Sequence, residues 1–320
     1  PLALLKQFQF HNDFFVLLSN SKFLNTHILK LAAIDIGSNA VRLQVSAVQN
    51  NDTKNRLKKI EYVRFPLRLG SEVFTNGFIS KKKIANFVKL MATYKNLIEL
   101  HEVEYYRVCA TSAMREAENA PLVVNLIKEK TGLDIEIIDG DTEASLIHEA
   151  ITDLIEDKTY LHMDVGGGST EVIIIEEGKD PLSYSFNIGS IRKPNKQARE
   201  NTWQELETWI SDHTEGLEQS PVAIGTGGNI TKLFELAGKM KGDKFSLQHL
   251  KEISVRLSEF SLKDRVKEFN LNPDRADVIV PASKIYRKVM QLAKTPYMIV
   301  PDVGLKDGIL NNLLEKHNIK

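Results

Sequence analysis

With 320 residues, 42% of them apolar, the chain has room for two domains of ordinary size, each with its own core. Lys and Arg number 42, as do Asp and Glu, so the net charge is zero and a global attraction to nucleic acid is excluded, though local basic clusters still count. The single cysteine, Cys109, rules out a disulfide framework and suits a reducing, cytoplasmic setting; no uninterrupted apolar run approaches the ~20 residues of a membrane span.

Residues 1–30 are rich in Phe and Leu but broken by Lys6, His11, Asn12, Asp13 and Lys22. They lack the continuous apolar core and cleavage site of a signal peptide and are read as an N-terminal extension ahead of a domain that starts near Leu31. Residues 31–48 and 56–64 read as strands. A helix is expected over 80–100, with Ile84, Phe87, Val88, Met91, Tyr94 and Ile98 at 3.6 spacing. A strand over 105–110, a loop and short helix over 111–119, a helix opened by Pro121 and running to about Lys130, and a strand over 133–138 follow. Gly140 and Asp141 start another helix, with Asp141 as N-cap and Ile147, Ile151 and Leu154 on its buried side. The polar stretch 156–159 reads as the crossing between two domains, 31–157 and 158–320. In the second, strands are expected over 161–163, 172–175, 222–224 and 297–300. Its helices are expected over 203–213, 230–237, 247–259 and 276–292. A closing helix over 304–315 is expected to pack back on the first domain.

The most informative stretch is Asp164-Val165-Gly166-Gly167-Gly168-Ser169-Thr170-Glu171, set between two apolar runs. Successive glycines let the backbone approach an anion closely, and their N–H groups with the hydroxyls of Ser169 and Thr170 form a cradle for phosphate. Asp164 and Glu171 bracket the loop and suit a divalent cation that bridges to phosphate oxygens. The plainer reading is a glycine-rich hairpin without a ligand, which needs neither three glycines nor flanking acids. The design recurs in Asp35-Ile36-Gly37-Ser38-Asn39. When the two are overlaid, Asp35 matches Asp164, Gly37 matches Gly166, and Arg42 falls at the place of Glu171. A third loop, Gly225-Thr226-Gly227-Gly228-Asn229, leads from a strand into a helix N-terminus, where free N–H groups and the dipole favour anions. Three such loops point to phosphate held between the halves of a duplicated domain. Among arginines, whose fork matches phosphate oxygens, Arg115 and Arg192 are the candidates; Arg192 opens a basic run with Lys193, Lys196 and Arg199, whose plainer reading is a solvated face and whose functional one is to steer an anionic chain toward the cleft. His162 reads as a core histidine, and Trp203 and Trp209 as packing residues.

Several motifs occur together and in order: Ala33 through Asn39; Arg68-Leu69-Gly70; Ala110-Thr111-Ser112-Ala113-Met114-Arg115-Glu116-Ala117; Ile137 through Gly140 with Glu143-Ala144; Asp164 through Glu171; Asn187 through Arg192; Gly225 through Gly228; and Gly304 through Gly308. On them the chain resembles the exopolyphosphatase / guanosine pentaphosphate phosphohydrolase family of the actin-like ATPase superfamily, short two-domain type. The resemblance implies an α/β fold of two duplicated actin-like (ribonuclease H-like) domains around an interdomain cleft. It also implies hydrolysis of a terminal phosphoanhydride of inorganic polyphosphate or guanosine pentaphosphate, with Mg²⁺ or another divalent cation.

On the residues alone, Glu143 is an acid in a helix's first turn that complements the dipole; the resemblance makes it the base that activates water. The same resemblance gives Asp164 and Glu171 to the cation. Phosphate is expected on Gly37, Ser38, Asn39, Arg115, Gly166, Gly167, Gly168, Ser169, Thr170, Arg192, Gly227, Gly228 and Asn229. Asp35 and Arg42 face the cleft with their roles open. A homodimer is expected by analogy alone; no nucleic acid or membrane partner is. The chain departs from the family pattern where Thr142 replaces an acid, Ser145 an arginine, Lys306-Asp307 an Arg-Glu pair, and Lys193 an aliphatic residue. The changes at Thr142 and Ser145 keep open a polyphosphate or alarmone binding protein with little turnover; an actin-like ATPase or small-molecule kinase shares the glycine loops but does not predict the Thr111–Arg115 motif.

Overall fold

The computed structural model describes residues 28–49, 56–156, 158–217 and 219–319. The expected N-terminal extension thus lies outside the described residues up to residue 27, as does residue 157 of the crossing. Strands β1 (Lys30–Ile36), β2 (Val41–Val48), β3 (Leu57–Phe65), β4 (Tyr105–Ala110) and β5 (Glu136–Ile137) form one sheet in the order β3-β2-β1-β4-β5. The first three are antiparallel neighbours, and β4 and β5 continue the sheet in parallel with β1. Strands β6 (Tyr160–Val165), β7 (Thr170–Ile175), β8 (Leu182–Phe186), β9 (Val222–Thr226), β10 (Phe245–Ser246) and β11 (Tyr297–Ile299) form the second, in the order β10-β11-β9-β6-β7-β8. Without β10 the two orders and strand directions are the same, so the chain is a duplicated actin-like α/β fold. The central strands β1 and β6 are buried almost end to end, as expected of strands covered on both faces.

The first sheet is covered on one side by α1 (Gly70–Asn76), α2 (Lys81–Leu100), α3 (Ser112–Glu116) and α4 (Ala120–Thr131), which bury Val73, Phe87, Met91, Met114 and Ile127 against β1, β2 and β4. Ser80 caps α2 by accepting from the Lys83 amide. The second sheet carries α6 (Lys196–Thr214), α7 (Gly228–Leu236), α8 (Leu247–Glu259), α9 (Leu262–Glu268), α10 (Pro273–Ala276) and α11 (Ile279–Leu292) around a core that includes Phe186, Leu233, Phe245 and Tyr286. Trp203 and Trp209 pack against this core. Among the described residues no helix is long and apolar enough to cross a membrane.

Two helices lie between the sheets. α12 (Leu305–Lys316) packs Ile309, Leu310, Leu313 and Leu314 on Leu31, Ala33 and Cys109 of the first sheet. α5 (Gly140–Ile151) adds Leu146 and Ile147 to that cluster, while Ala144 and Ile151 pack on Tyr160, Ile173 and Ile224 of the second. Gly308 is where these helices touch: a Cβ there would lie 2.5 Å from the Leu146 carbonyl carbon, and closer still to its oxygen.

Several local expectations need correction. The N-cap of α5 is Asp139, which accepts from the Thr142 amide at 2.8 Å; Asp141 sits inside the first turn. Leu154 is 39% exposed, because the helix gives way to a 3₁₀ turn over Thr152–Leu154 before reaching it. Only Glu136–Ile137 of the strand expected over 133–138 finds a ladder partner, in β4. The helix expected over 276–292 begins only at Ile279, because residues 277–278 form a turn after the short α10 ends at Ala276.

Candidate active site

The site is built on two hairpins of the same construction. Asp35 pairs with Arg42 across β1 and β2, and Asp164 with Glu171 across β6 and β7. Each turn closes on one bond, Gly37 N–H to Ala40 O at 3.1 Å and Gly166 N–H to Ser169 O at 3.0 Å. In the first hairpin the cross-strand pair is an ion pair, Arg42 Nη1 to Asp35 Oδ2 at 2.7 Å. In the second, two carboxylates occupy the same places. Ser185 Oγ donates to Glu171 at 2.8 Å and Thr226 Oγ1 to Asp164 at 2.6 Å. Burial pushes both carboxyls up, Glu171 to about 7 with Asp164 adding to the rise.

The third loop leaves β9 through Gly227, whose φ of +96° favours glycine, and opens α7. The hairpin loops meet where Gly167 approaches Ser38, and Ser38 and Ser112 share a hydrogen bond of 2.8 Å. Between the loops lies a cleft of about 470 Å³. Asp35, Gly37, Ser38, Asn39, Arg42, Glu143, Asp164, Gly166, Gly167, Ser169, Gly227, Gly228 and Asn229 all border it.

A family model described as the Ppx/GppA phosphatase family matches residues 47–317. The chain belongs to the Ppx/GppA phosphatase family. It is 27% identical over 315 residues to exopolyphosphatase 2 of Mycobacterium tuberculosis, covering 89% of this chain and 99% of that one. It is also 27% identical to the bifunctional 3-dehydroquinate synthase/phosphatase of Fusobacterium nucleatum, over 89% of this chain but only 46% of that longer protein. Among solved structures, the Aquifex aeolicus Ppx/GppA protein superposes with a TM-score of 0.72 at 26% identity, over 92% of this chain and 100% of that one. An exopolyphosphatase from Cytophaga hutchinsonii does so with 0.76 at 25%, over 90% and 98%.

Within this Ppx/GppA cleft, Glu143 is the carboxylate of α5. It is 8% exposed, and its buried Oε2 has no hydrogen-bond partner. Burial first, and Glu171 second, push its carboxyl well above the usual range. Arg115 stands 3.6 Å from Glu143 Oε2 and donates to the Ile138 carbonyl at 2.5 Å, so it lies behind Glu143 and does not border the cleft.

Four other predicted residues are also set back. Thr170 spends its hydroxyl on Ile188 O at 2.6 Å. Gly168 is the seat of close packing between the halves, since a Cβ would reach 2.5 Å from Ser112 Oγ and into the Phe74 ring. Glu171 is 1% exposed behind Asp164. Arg192 is committed elsewhere: its guanidinium forms a two-pronged pair with Glu116, lies 4.3 Å from the Phe74 ring centre, and donates from Nε to Gly168 O at 2.6 Å. It therefore ties the second half to the first and leaves no prong directed at the cleft. His162 is fully buried and pushed down to about 3 by burial, hence neutral, with Nε2 at 2.9 Å from Thr226 Oγ1.

Sequence reading missed a second set of basic residues in the wall. Arg64 on β3 is the cross-strand partner of Arg42, and Arg275 reaches in from α10 and donates to Gly228 O. Burial first, then Arg64 and Arg42, push Arg275 down to about 10, against the opposing pull of Asp274, whose carboxylate pairs with Arg64 at 2.5 Å. Lys59, Tyr62 and Lys306 complete that side. The only signal available was alternation along β3, which gives a face but no partner.

Among the described residues no three His, Cys, Asp or Glu side chains gather closely enough to cage a metal. What the site offers is two like-charged neighbours on a glycine loop, half-buried Asp164 bordering the cleft and buried Glu171 behind it. That fits Mg²⁺, which takes one or two carboxylates and completes its shell with water and phosphate oxygens.

Proposed function

We propose that this protein hydrolyses the terminal phosphoanhydride bond of inorganic polyphosphate or of guanosine pentaphosphate and releases orthophosphate. The observation that carries the reading is the buried Oε2 of Glu143 in the cleft wall, opposite glycine loops from both halves, which accepts no hydrogen bond although Arg115 pairs with it at 3.6 Å. A buried acceptor without a hydrogen bond is costly to the fold, and an attacking water supplies the missing bond. A raised carboxyl is also the better base, because its proton affinity lies nearer the working pH. The relatives named exopolyphosphatase support the same chemistry.

The residues divide the work as follows. Glu143 accepts the proton of the attacking water, and Arg115 behind it limits how far its carboxylate turns. Backbone N–H groups of the loops and the hydroxyls of Ser38 and Ser169 bind the terminal phosphate. Arg42, Arg64 and Arg275 neutralise the phosphates further along, which are the leaving group. Asp164 and Glu171 would hold a divalent cation, which supplies charge neutralisation to phosphoryl oxygens.

Phosphate release from polyphosphate, guanosine pentaphosphate and ATP, measured side by side with Mg²⁺ and with excess chelator, tests the proposal. Release from either of the first two in Mg²⁺ alone is expected. Tight binding with no release supports a binding protein, ATP as the preferred substrate supports an actin-like ATPase, and full release in chelator removes the cation.

A further inference from the structure

We infer that Thr226, oriented by His162, is the positioning residue of Asp164, pinning one carboxylate oxygen so that the other is presented to the cation. The inference rests on the reading of Asp164 as a cation ligand. Period-two alternation puts His162 and Asp164 on one face of β6, and parallel β9 brings Thr226 into register with Asp164.

Thr226 Oγ1 donates to Asp164 Oδ2 at 2.6 Å, and His162 Nε2 lies 2.9 Å from the same hydroxyl. A hydroxyl has one hydrogen. The carboxylate can only accept, so the hydrogen goes to Asp164 and a lone pair faces His162. Nε2 must then carry the ring hydrogen, which leaves Nδ1 bare, and Nδ1 indeed has no partner. The result is a one-way chain, His162 to Thr226 to Asp164, with both donors fully buried.

The backbone of Thr226 is fixed as well. Tyr286 donates its hydroxyl to Thr226 O at 2.5 Å and accepts from the Val165 amide at 3.1 Å, stapling the two glycine loops together. Oδ1 of Asp164 is the oxygen nearer Gly227, where a Cβ would come within 3.1 Å of it and 3.5 Å of Oδ2. One oxygen is therefore engaged and the other looks toward the loop that borders the cleft. A ligand held in this way loses no rotational freedom on binding, and outer partners of this kind typically change metal affinity by ~10–100-fold.

Mn²⁺ alone, titrated into the full chain without substrate and followed by the paramagnetic signal of free Mn²⁺, reads the effect directly. Thr226→Val keeps the volume and removes the donor; it is expected to weaken Mn²⁺ by ~10–100-fold, and Thr226→Ser to restore it. Should the valine variant fail to fold, His162→Leu tests the chain from its other end and is expected to weaken Mn²⁺ in the same direction. Wild-type affinity in Thr226→Val, or in His162→Leu where that variant is used, alongside loss in Asp164→Asn overturns the inference while the cation reading stands. Equal Mn²⁺ binding by wild type and Asp164→Asn, or none by wild type, removes the cation reading and the inference with it.

Discussion

Gly308→Ala separates local propensity from tertiary contact, because the two predict opposite signs. Gly308 lies inside α12, and a helix-interior glycine normally costs ~1 kcal/mol relative to alanine, so propensity alone predicts stabilisation. The contact predicts the reverse. The new Cβ would sit 2.5 Å from the Leu146 carbonyl carbon, 3.2 Å from its Cα, and nearer still to its oxygen. All three are backbone atoms, so no rotamer change relieves the overlap, and α5 and α12 must part by roughly an ångström. Overpacking of this kind costs ~1–3 kcal/mol, and backbone against backbone belongs at the upper end. Leu146 is one helical turn from Glu143, so the shift carries to this proposed base. A displacement of ~1 Å remote from the chemistry can lower turnover ~10²-fold. Thermal or urea unfolding together with phosphate release tests both halves. A Gly308→Ala protein that is as stable as wild type or more so, with full activity, would refute the packing argument.

Three further outcomes are expected. Glu143→Gln should cut phosphate release by ~10²–10⁴ while substrate affinity, followed by calorimetry, holds or improves as a carboxylate is removed from beside the phosphates. Arg192→Ala strips the charge-assisted pair with Glu116 across the two halves, and the bond to Gly168 O within its own half, and should cost ~1.5–3 kcal/mol in urea denaturation; an unchanged midpoint means the tie contributes nothing. Glu171 rises from 4.5 to about 7 on folding, so the native state binds more protons than the unfolded chain between those values. That contribution to stability is complete below pH 4.5 and lost as pH climbs through about 7, so stability measured in chelator should fall as pH rises across this window and Glu171→Gln should flatten the slope.

Local chemistry made much of this molecule legible. Apolar runs ending in Asp-aliphatic-Gly placed β1, β2, β6 and β7, and a constant spacing from Asp35 to Arg42 and from Asp164 to Glu171 marked them as copies of one hairpin. The register confirms that construction in both sheets. Strand pairing and tight turns depend on a few adjacent residues, so their pattern survives in one dimension. The helix cap was harder even locally, since Asp139 and Asp141 are chemically equal and only the bond to Thr142 N–H separates them.

Partners across the fold were not legible. Arg64 and Arg275 are 211 positions apart in the chain and meet only because β3 and α10 come from opposite halves. Arg192 sits in a promising basic run, yet Glu116 and Phe74 engage it first. Thr170 has the right hydroxyl in the right loop, but strand pairing turns it toward Ile188. By itself the sequence determined which segments are strands and helices, where glycine loops can approach an anion, and that the domain is repeated, because these follow from side-chain period and backbone freedom. The tertiary structure decided which charges border the cleft, which are consumed in holding the halves together, and how Asp164 is held, because each of those depends on which distant group arrives within hydrogen-bond reach.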